Sequence, residues 1–343
     1  MTSKHTLGMV PEIADFIHHS SPIASSDLAL GAAIAVMSSF AAGRYCIQPK
    51  GVPEASVVTQ GVMLLGECGT GKGAAMEGAE RLFQVVGDPA IATGFSTPEV
   101  LWNSATQTPG LLLLLANEDH HSLAARDPGF GQERPQPAQS DVLFSLQSHT
   151  TGMDAVFYPR PSRSADFKRR HRQAPVTILA ETTPQAMRER LPLWMDSSPF
   201  YGELLFVGAV RLQKVRNPAP CRVVPPTLLA RLRELTALRP SVELVMVQMD
   251  QEAEADYRTL VDYCRSAVPP HEPDAMALLA QRVLNVATLY AIGIDHRQPV
   301  VTRQLIKEAA NLAVWSRELA RAGLQGVPRD FTELVADQFP VVH

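Results

Sequence analysis

Hydrophobic and polar positions follow three regimes along the chain. Up to residue 43, apolar residues recur at helical spacing over Pro11–His18 and Asp27–Ala42 and predict two helices. Ser25, Ser26 or Asp27 is placed to cap the second helix, and Gly43 follows its last apolar residue. A turn-rich connector, Pro49–Ala55, comes next. Short apolar runs of strand length then dominate: Val62–Leu65, Ala90–Phe95, Leu111–Leu115, Val176–Ala180 and Leu204–Val210. Gly73–Val86 and Asp141–His149 read as intervening helices, and Asp127–Gln139, rich in Pro, Gly and charge, as a mobile loop. The five consecutive leucines at 111–115 show no polar alternation, which predicts a strand buried on both faces. Beyond Pro225 helical spacing returns over Thr227–Leu238, Gln251–Ala267, Pro273–Ile292 and Thr302–Ala322, with one more strand at Val242–Val247.

Strands separated by helices or long crossovers imply an α/β fold with a largely parallel sheet and helices on both faces. Three units are expected: an N-terminal helical segment and linker at 1–55, an α/β core at 56–225, and a mostly helical region at 226–343. With 45% apolar and 19% charged residues, the chain has material for a sizeable core and is not a disordered chain. A net charge of −4 excludes a globally basic nucleic-acid coat, so any such contact must be a local patch. Cys46, Cys68, Cys221 and Cys264 stand far apart, which predicts neither a zinc site nor a disulfide framework. No basic segment followed by an apolar core opens the chain, and Leu28–Ala42 is too short to span a bilayer. The expected location is the cytoplasm, away from membranes.

One segment carries specific chemistry. Gly66, Glu67, Cys68, Gly69, Thr70, Gly71, Lys72 and Gly73 match the phosphate-loop pattern G-x-x-x-x-G-K, after an apolar strand and before a helix. Only six lysines occur in the chain, and one of them falls at the required place. Glycines let backbone N–H groups converge on phosphate oxygens, and the helix N-terminus adds partial positive charge. Lys72 would reach the β- and γ-phosphates. Gly73 departs from the pattern, because a Ser or Thr hydroxyl there would ligate Mg²⁺.

The leucine strand is followed by Asn117 and Glu118. In the simplest register Asn117 holds a Mg²⁺-bound water and Glu118 orients the attacking water; a one-residue slip makes Glu118 and Asp119 the pair. His120 and His121 lack a spaced third ligand and read as solvated loop residues. Ser96-Thr97-Pro98-Glu99 reads as a capping box that starts a helix.

In the order of these motifs the chain resembles the YfjI-like domain-of-unknown-function proteins, RecA-fold helicase-like ATPases of plasmid, phage and integrative-element replication. The resemblance runs from Pro11 to Leu319 through G-E-C-G-T-G-K-G, S-T-P-E-V-L at 96–101, the leucine strand, and V-T-I-L-A-E-T-T-P at 176–184. It continues through D-S-S-P-F-Y-G-E-L-L-F-V at 196–207, the helix with Arg282, Val286 and Ala287, and P-V-V-T at 299–302. It implies a RecA-like P-loop NTPase core binding ATP and Mg²⁺, with Thr182 sensing the γ-phosphate. It also implies single-stranded DNA as partner, a homo-oligomeric ring, and a primase or replication initiator nearby. Glu203 stands where the family carries an arginine, so with Gly73 and Asn117 three positions are eroded.

Six Arg or Lys fall between Arg160 and Arg172, including Lys168, Arg169, Arg170 and Arg172, with Phe167 among them. In an acidic protein such a run suits a DNA-gripping loop. The leading expectation is a helicase-type translocase on single-stranded DNA, with weakened hydrolysis. The alternative is a non-hydrolysing, nucleotide-gated module such as a helicase loader or regulatory subunit. A small-molecule kinase is third, since no lid-like arginine cluster supports it.

Overall fold

The computed structural model describes residues 8–23, 25–52, 55–87, 91–93, 104, 108, 110–115, 176–188, 204–209, 217–238, 244–266 and 273–325. The expected loop at Asp127–Gln139, the helix at Asp141–His149 and the capping box at Ser96–Glu99 lie outside these residues.

Five strands form one all-parallel sheet: β3 (Val62–Gly66), β4 (Ile91–Ala92), β5 (Leu111–Leu115), β6 (Val176–Thr182) and β7 (Leu205–Ala209). Their order is β4-β5-β6-β3-β7. β3 is therefore flanked by β6, with Val62 beside Leu179 and Leu65 beside Thr182, and by β7, with Val62 beside Leu205. Every residue of β3, β5 and β6 is buried. That accounts for the unbroken apolar runs, because a parallel sheet covered on both faces has no solvent side to mark with polar residues.

Helices supply the cover. α1 (Met9–Ser20) and α2 (Ser26–Ala41) pack together, and α2 lies across β3, β5, β6 and β7. Ser25 caps α2, its hydroxyl accepting from the Leu28 N–H at 3.4 Å. α2 is buried almost all round, so its many Ala and Gly positions allow a close approach to the sheet. Gly31 is the clearest case: a Cβ there would meet Leu64 Cδ2 and Val207 Cβ at 2.9 Å. Polar side chains inside this layer pair with each other, as Ser38 does with Thr177, hydroxyl to hydroxyl at 2.9 Å. α3 (Lys72–Val86) sits beside α1 and α2.

The region beyond Pro225 holds α4 (Pro226–Ala237), α5 (Gln251–Ser266), α6 (Pro273–Ile294) and α7 (Arg303–Gln325). α7 packs on β7 from the other face, where Ser316 Oγ accepts the Phe206 N–H at 2.6 Å and Gly323 lies against Leu65. α6 touches both α2 and α7. None of the described helices is long and apolar enough to cross a membrane.

A second, small sheet was not anticipated. β1 (Tyr45–Ile47), β2 (Ser56–Val57), β8 (Val245–Met249) and β9 (Val300–Val301) assemble in the order β2-β1-β8-β9. The strand expected at Val242–Val247 is β8, displaced toward the C-terminus, and it pairs in parallel with β1 rather than joining the main sheet. Two- and three-residue strands leave too little pattern to read in advance. Beside this sheet the buried Arg44 guanidinium donates to the carbonyls of Phe40, Thr236 and Leu238, at the C-terminal ends of α2 and α4.

The close α2–sheet approach sets a stability test. Gly31→Val should lower unfolding free energy by about 1–3 kcal/mol through overpacking, measured by urea denaturation followed by circular dichroism. An unchanged midpoint would mean that the two layers separate freely to admit the side chain.

Candidate phosphate-binding site

The loop at 66–73 leaves the carboxyl end of β3 and enters α3 directly. Its sharp course depends on glycine at two internal positions. Gly69 has φ +84° and Gly71 φ +95°, both in the left-handed region that costs L-residues with a Cβ. Gly71 is also pressed from outside, since a Cβ there would lie 2.7 Å from the Ile23 carbonyl oxygen of the α1–α2 connection. Gly66 is needed for space alone: a Cβ would come within 2.6 Å of Thr70 Oγ1. That hydroxyl donates to the Glu67 carbonyl at 2.9 Å and closes the loop on itself.

The first bond of α3 is from the Ala75 N–H to the Gly71 carbonyl at 3.0 Å. The N–H groups of Lys72, Gly73 and Ala74 therefore have no acceptor within the helix and point out of its positive end. Glu67, Cys68, Gly69 and Gly73 are exposed, so the loop opens to solvent.

Lys72 is the opposite. It is 5% exposed, and its Nζ donates to the carbonyls of Gly66 at 2.6 Å and Glu67 at 3.1 Å. Burial pushes the Lys72 pKa below the ordinary lysine value, and the negative charge of Glu181 foremost opposes that shift. The ammonium is thus held beneath the loop by two backbone oxygens, with the charge of Glu181 on the neighbouring strand favouring its protonated form.

That carboxylate was not among the anticipated site residues. Glu181 lies in β6, the direct neighbour of β3, in register with Leu64 and 8% exposed. Leu64 packs against Gly31 of α2, so Glu181 occupies the sheet face that α2 and α3 cover. Thr182, expected to sense a γ-phosphate, is in register with Leu65, whose side chain lies against Gly323 of α7. It therefore occupies the other face. Its hydroxyl is buried, 2% exposed for the residue, with no hydrogen-bond partner among the described residues.

The apolar-then-acidic run V-T-I-L-A-E would have drawn attention to Glu181, but so does L-L-L-L-L-A-N-E. Only strand order separates them: β6 touches β3, and β5 is one strand further away. Asn117, Glu118 and the basic segment with Lys168, Arg169, Arg170 and Arg172 lie outside the described residues. Among the described residues no group of three or more His, Cys, Asp or Glu gathers as a metal cage.

Gly73 has nothing within 4 Å of where a Cβ would stand. The missing hydroxyl is therefore not excluded by space. A contrast between two glycines follows. Gly71→Ala should cost about 1–3 kcal/mol of stability through backbone strain. Gly73→Ser, in open space in the first turn of α3, should stay within about 0.5 kcal/mol of the parent. Thermal unfolding of the two variants side by side checks the difference; equal losses would mean that the loop is not held in this conformation. No family model and no curated protein matches the chain.

Proposed function

We propose that the chain binds ATP at Gly66–Gly73 and is a P-loop NTPase of RecA-like type. The observation that carries this reading is the conjunction at one point of a buried ammonium, left-handed glycines and a helix N-terminus. All three meet at the carboxyl end of a central parallel strand. Ligands of open α/β sheets favour that end, where strand connections diverge to opposite sides; β3 has this position, with β6 and β7 on either side. The insertion of β6 between β3 and β5 is compatible with a RecA-like core.

On binding, Lys72 would exchange the carbonyls of Gly66 and Glu67 for phosphate oxygens, while the N–H groups of Lys72, Gly73 and Ala74 take further oxygens. Mg²⁺ would rest on the phosphates and on water, with Asn117 holding one such water and Glu118 orienting the nucleophile. Thr182 keeps its proposed role as a γ-phosphate sensor only if its hydroxyl gains access across the strand end. The basic run Lys168, Arg169, Arg170 and Arg172 would grip single-stranded DNA, in a ring of identical subunits that works with a primase or initiator.

A second reading, a nucleotide-gated module without turnover, is favoured by one observation. Gly73 offers no hydroxyl to the metal although room for one exists. An ATPase assay with and without single-stranded DNA separates the two readings.

Lys72→Ala should abolish ATP binding by calorimetry while circular dichroism remains that of the parent. Unchanged affinity in the folded variant would remove the phosphate-loop reading. Neutralising Lys168, Arg169, Arg170 and Arg172 together should flatten the salt dependence of single-stranded DNA binding, by about 0.7 in log–log slope per lost phosphate contact. Nucleotide affinity should hardly change. A slope equal to the parent's would sink the DNA assignment.

A further inference from the structure

A cleft of about 480 Å³ lies between α5, α6 and the turn that ends at Val52, within the size range of small-molecule sites. The turn is docked on α5: the Val52 N–H donates to the Pro49 carbonyl at 3.1 Å, and the Lys50 N–H donates to the Glu254 carboxylate at 3.1 Å. Tyr257, Val261, Cys264 and Arg265 recur at helical spacing and form a single stripe of α5. Ala280 and Gln281 of α6 line the cleft with them. Gln281 is held in place. Its Nε2 donates to Asn285 Oδ1 at 2.9 Å, and Asn285 Nδ2 donates to the Thr59 carbonyl at 2.7 Å. A carbonyl can only accept, so the Thr59 bond sets the orientation of both amides. Thr59 precedes Val62, the first residue of β3, whereas the glycine-rich loop follows the last. The cleft is therefore tied to the opposite end of β3 from the loop.

The walls carry one charge. Burial pushes the Tyr257 hydroxyl up to about 12 and the Cys264 thiol above its ordinary value, so both stay uncharged at neutral pH. Arg265 is the one charged residue lining the cleft among the described residues, and it forms no ion pair with any of them. Its charge reaches the Tyr257 hydroxyl. Val52, Val261 and Ala280 offer only hydrocarbon side chains. We propose that the cleft is a second ligand site, separate from the glycine-rich loop, that takes a small monocarboxylate with an apolar body. The hydrocarbon walls favour the body, because apolar surface leaves water on both sides. The guanidinium favours a carboxylate, whose two oxygens match its fork. The Gln281 carboxamide, already oriented, adds a polar contact with little further ordering. A polyphosphate suits the cleft poorly, since a single cation faces it. Nothing in this site depends on nucleotide binding at the loop.

The experiment is calorimetric titration of the full chain with octanoate, and with octanol as its uncharged counterpart. Circular dichroism checks that each variant is folded. The parent should bind octanoate saturably at one site. Arg265 is exposed, so its share is that of a solvated charge: Arg265→Gln should weaken octanoate about fivefold, the scale of one unit charge about 4 Å away in water-like surroundings, and leave octanol unchanged. Arg265→Lys keeps the charge and should keep most of the affinity. Val261→Trp and Val52→Trp fill the cleft from α5 and from the turn, and each should abolish binding of both probes. Lys72→Ala should bind octanoate as the parent does. A parent without saturable octanoate binding overturns the proposal, whether or not any variant folds. A folded Arg265→Gln with the parent's octanoate affinity overturns it as well. Folded tryptophan variants that retain binding put the probe elsewhere, and loss of binding in folded Lys72→Ala puts it at the loop; either result overturns the site. If Val261→Trp does not fold, Val52→Trp carries the same test, because Val52 is an exposed turn residue.

Discussion

Burial of β3 on both faces is the constraint from which the site follows. A strand buried on both faces, with α2 across one and Gly323 of α7 against Leu65 on the other, can present its backbone only where it ends. Gly66–Gly73 is that end. The loop must turn within a few residues into α3, which itself packs on α1 and α2, so the turn is made with glycines at φ +84° and +95°. The connection between α1 and α2 reinforces this from outside, its Ile23 carbonyl filling the space in which a Gly71 side chain would stand. N-terminal helices that might have formed a separate appendage thus take part in shaping the loop.

The same burial governs the electrostatics. An ammonium 5% exposed cannot rely on water, and Lys72 is instead satisfied by two carbonyls and by the field of Glu181. Such an arrangement stores a cation at the loop without leaving it unsolvated.

Much of the architecture is legible in periodicity. The leucine run at 111–115, the long helices beyond Pro225 and the strand–loop–helix at 62–86 all stand where the pattern puts them, because each buries a full face and leaves a full-length signal. The short strands β1, β2 and β9 left no such signal; each is two or three residues long, β1 and β9 pair with β8 far along the chain, and β2 pairs only with β1. β8 shows the intermediate case: its apolar run is visible, but its membership of a second sheet depends on β1, two hundred residues earlier.

The amino-acid sequence by itself determined the glycine-rich turn at 66–73, since the glycines, the lysine and the flanking strand and helix are contiguous and their chemistry is local. It also determined that the core is a parallel sheet, because only strands hidden on both faces can be uniformly apolar. Tertiary structure alone decided that β6, and with it Glu181, stands beside the loop strand. V-T-I-L-A-E and L-L-L-L-L-A-N-E are equivalent as text, and the order β4-β5-β6-β3-β7 puts Glu181 beside the loop strand. It also decided that Glu181 and Thr182, adjacent in sequence, serve opposite faces. Side chains alternate along a strand, and which face meets α3 is set by helix packing that no local pattern encodes.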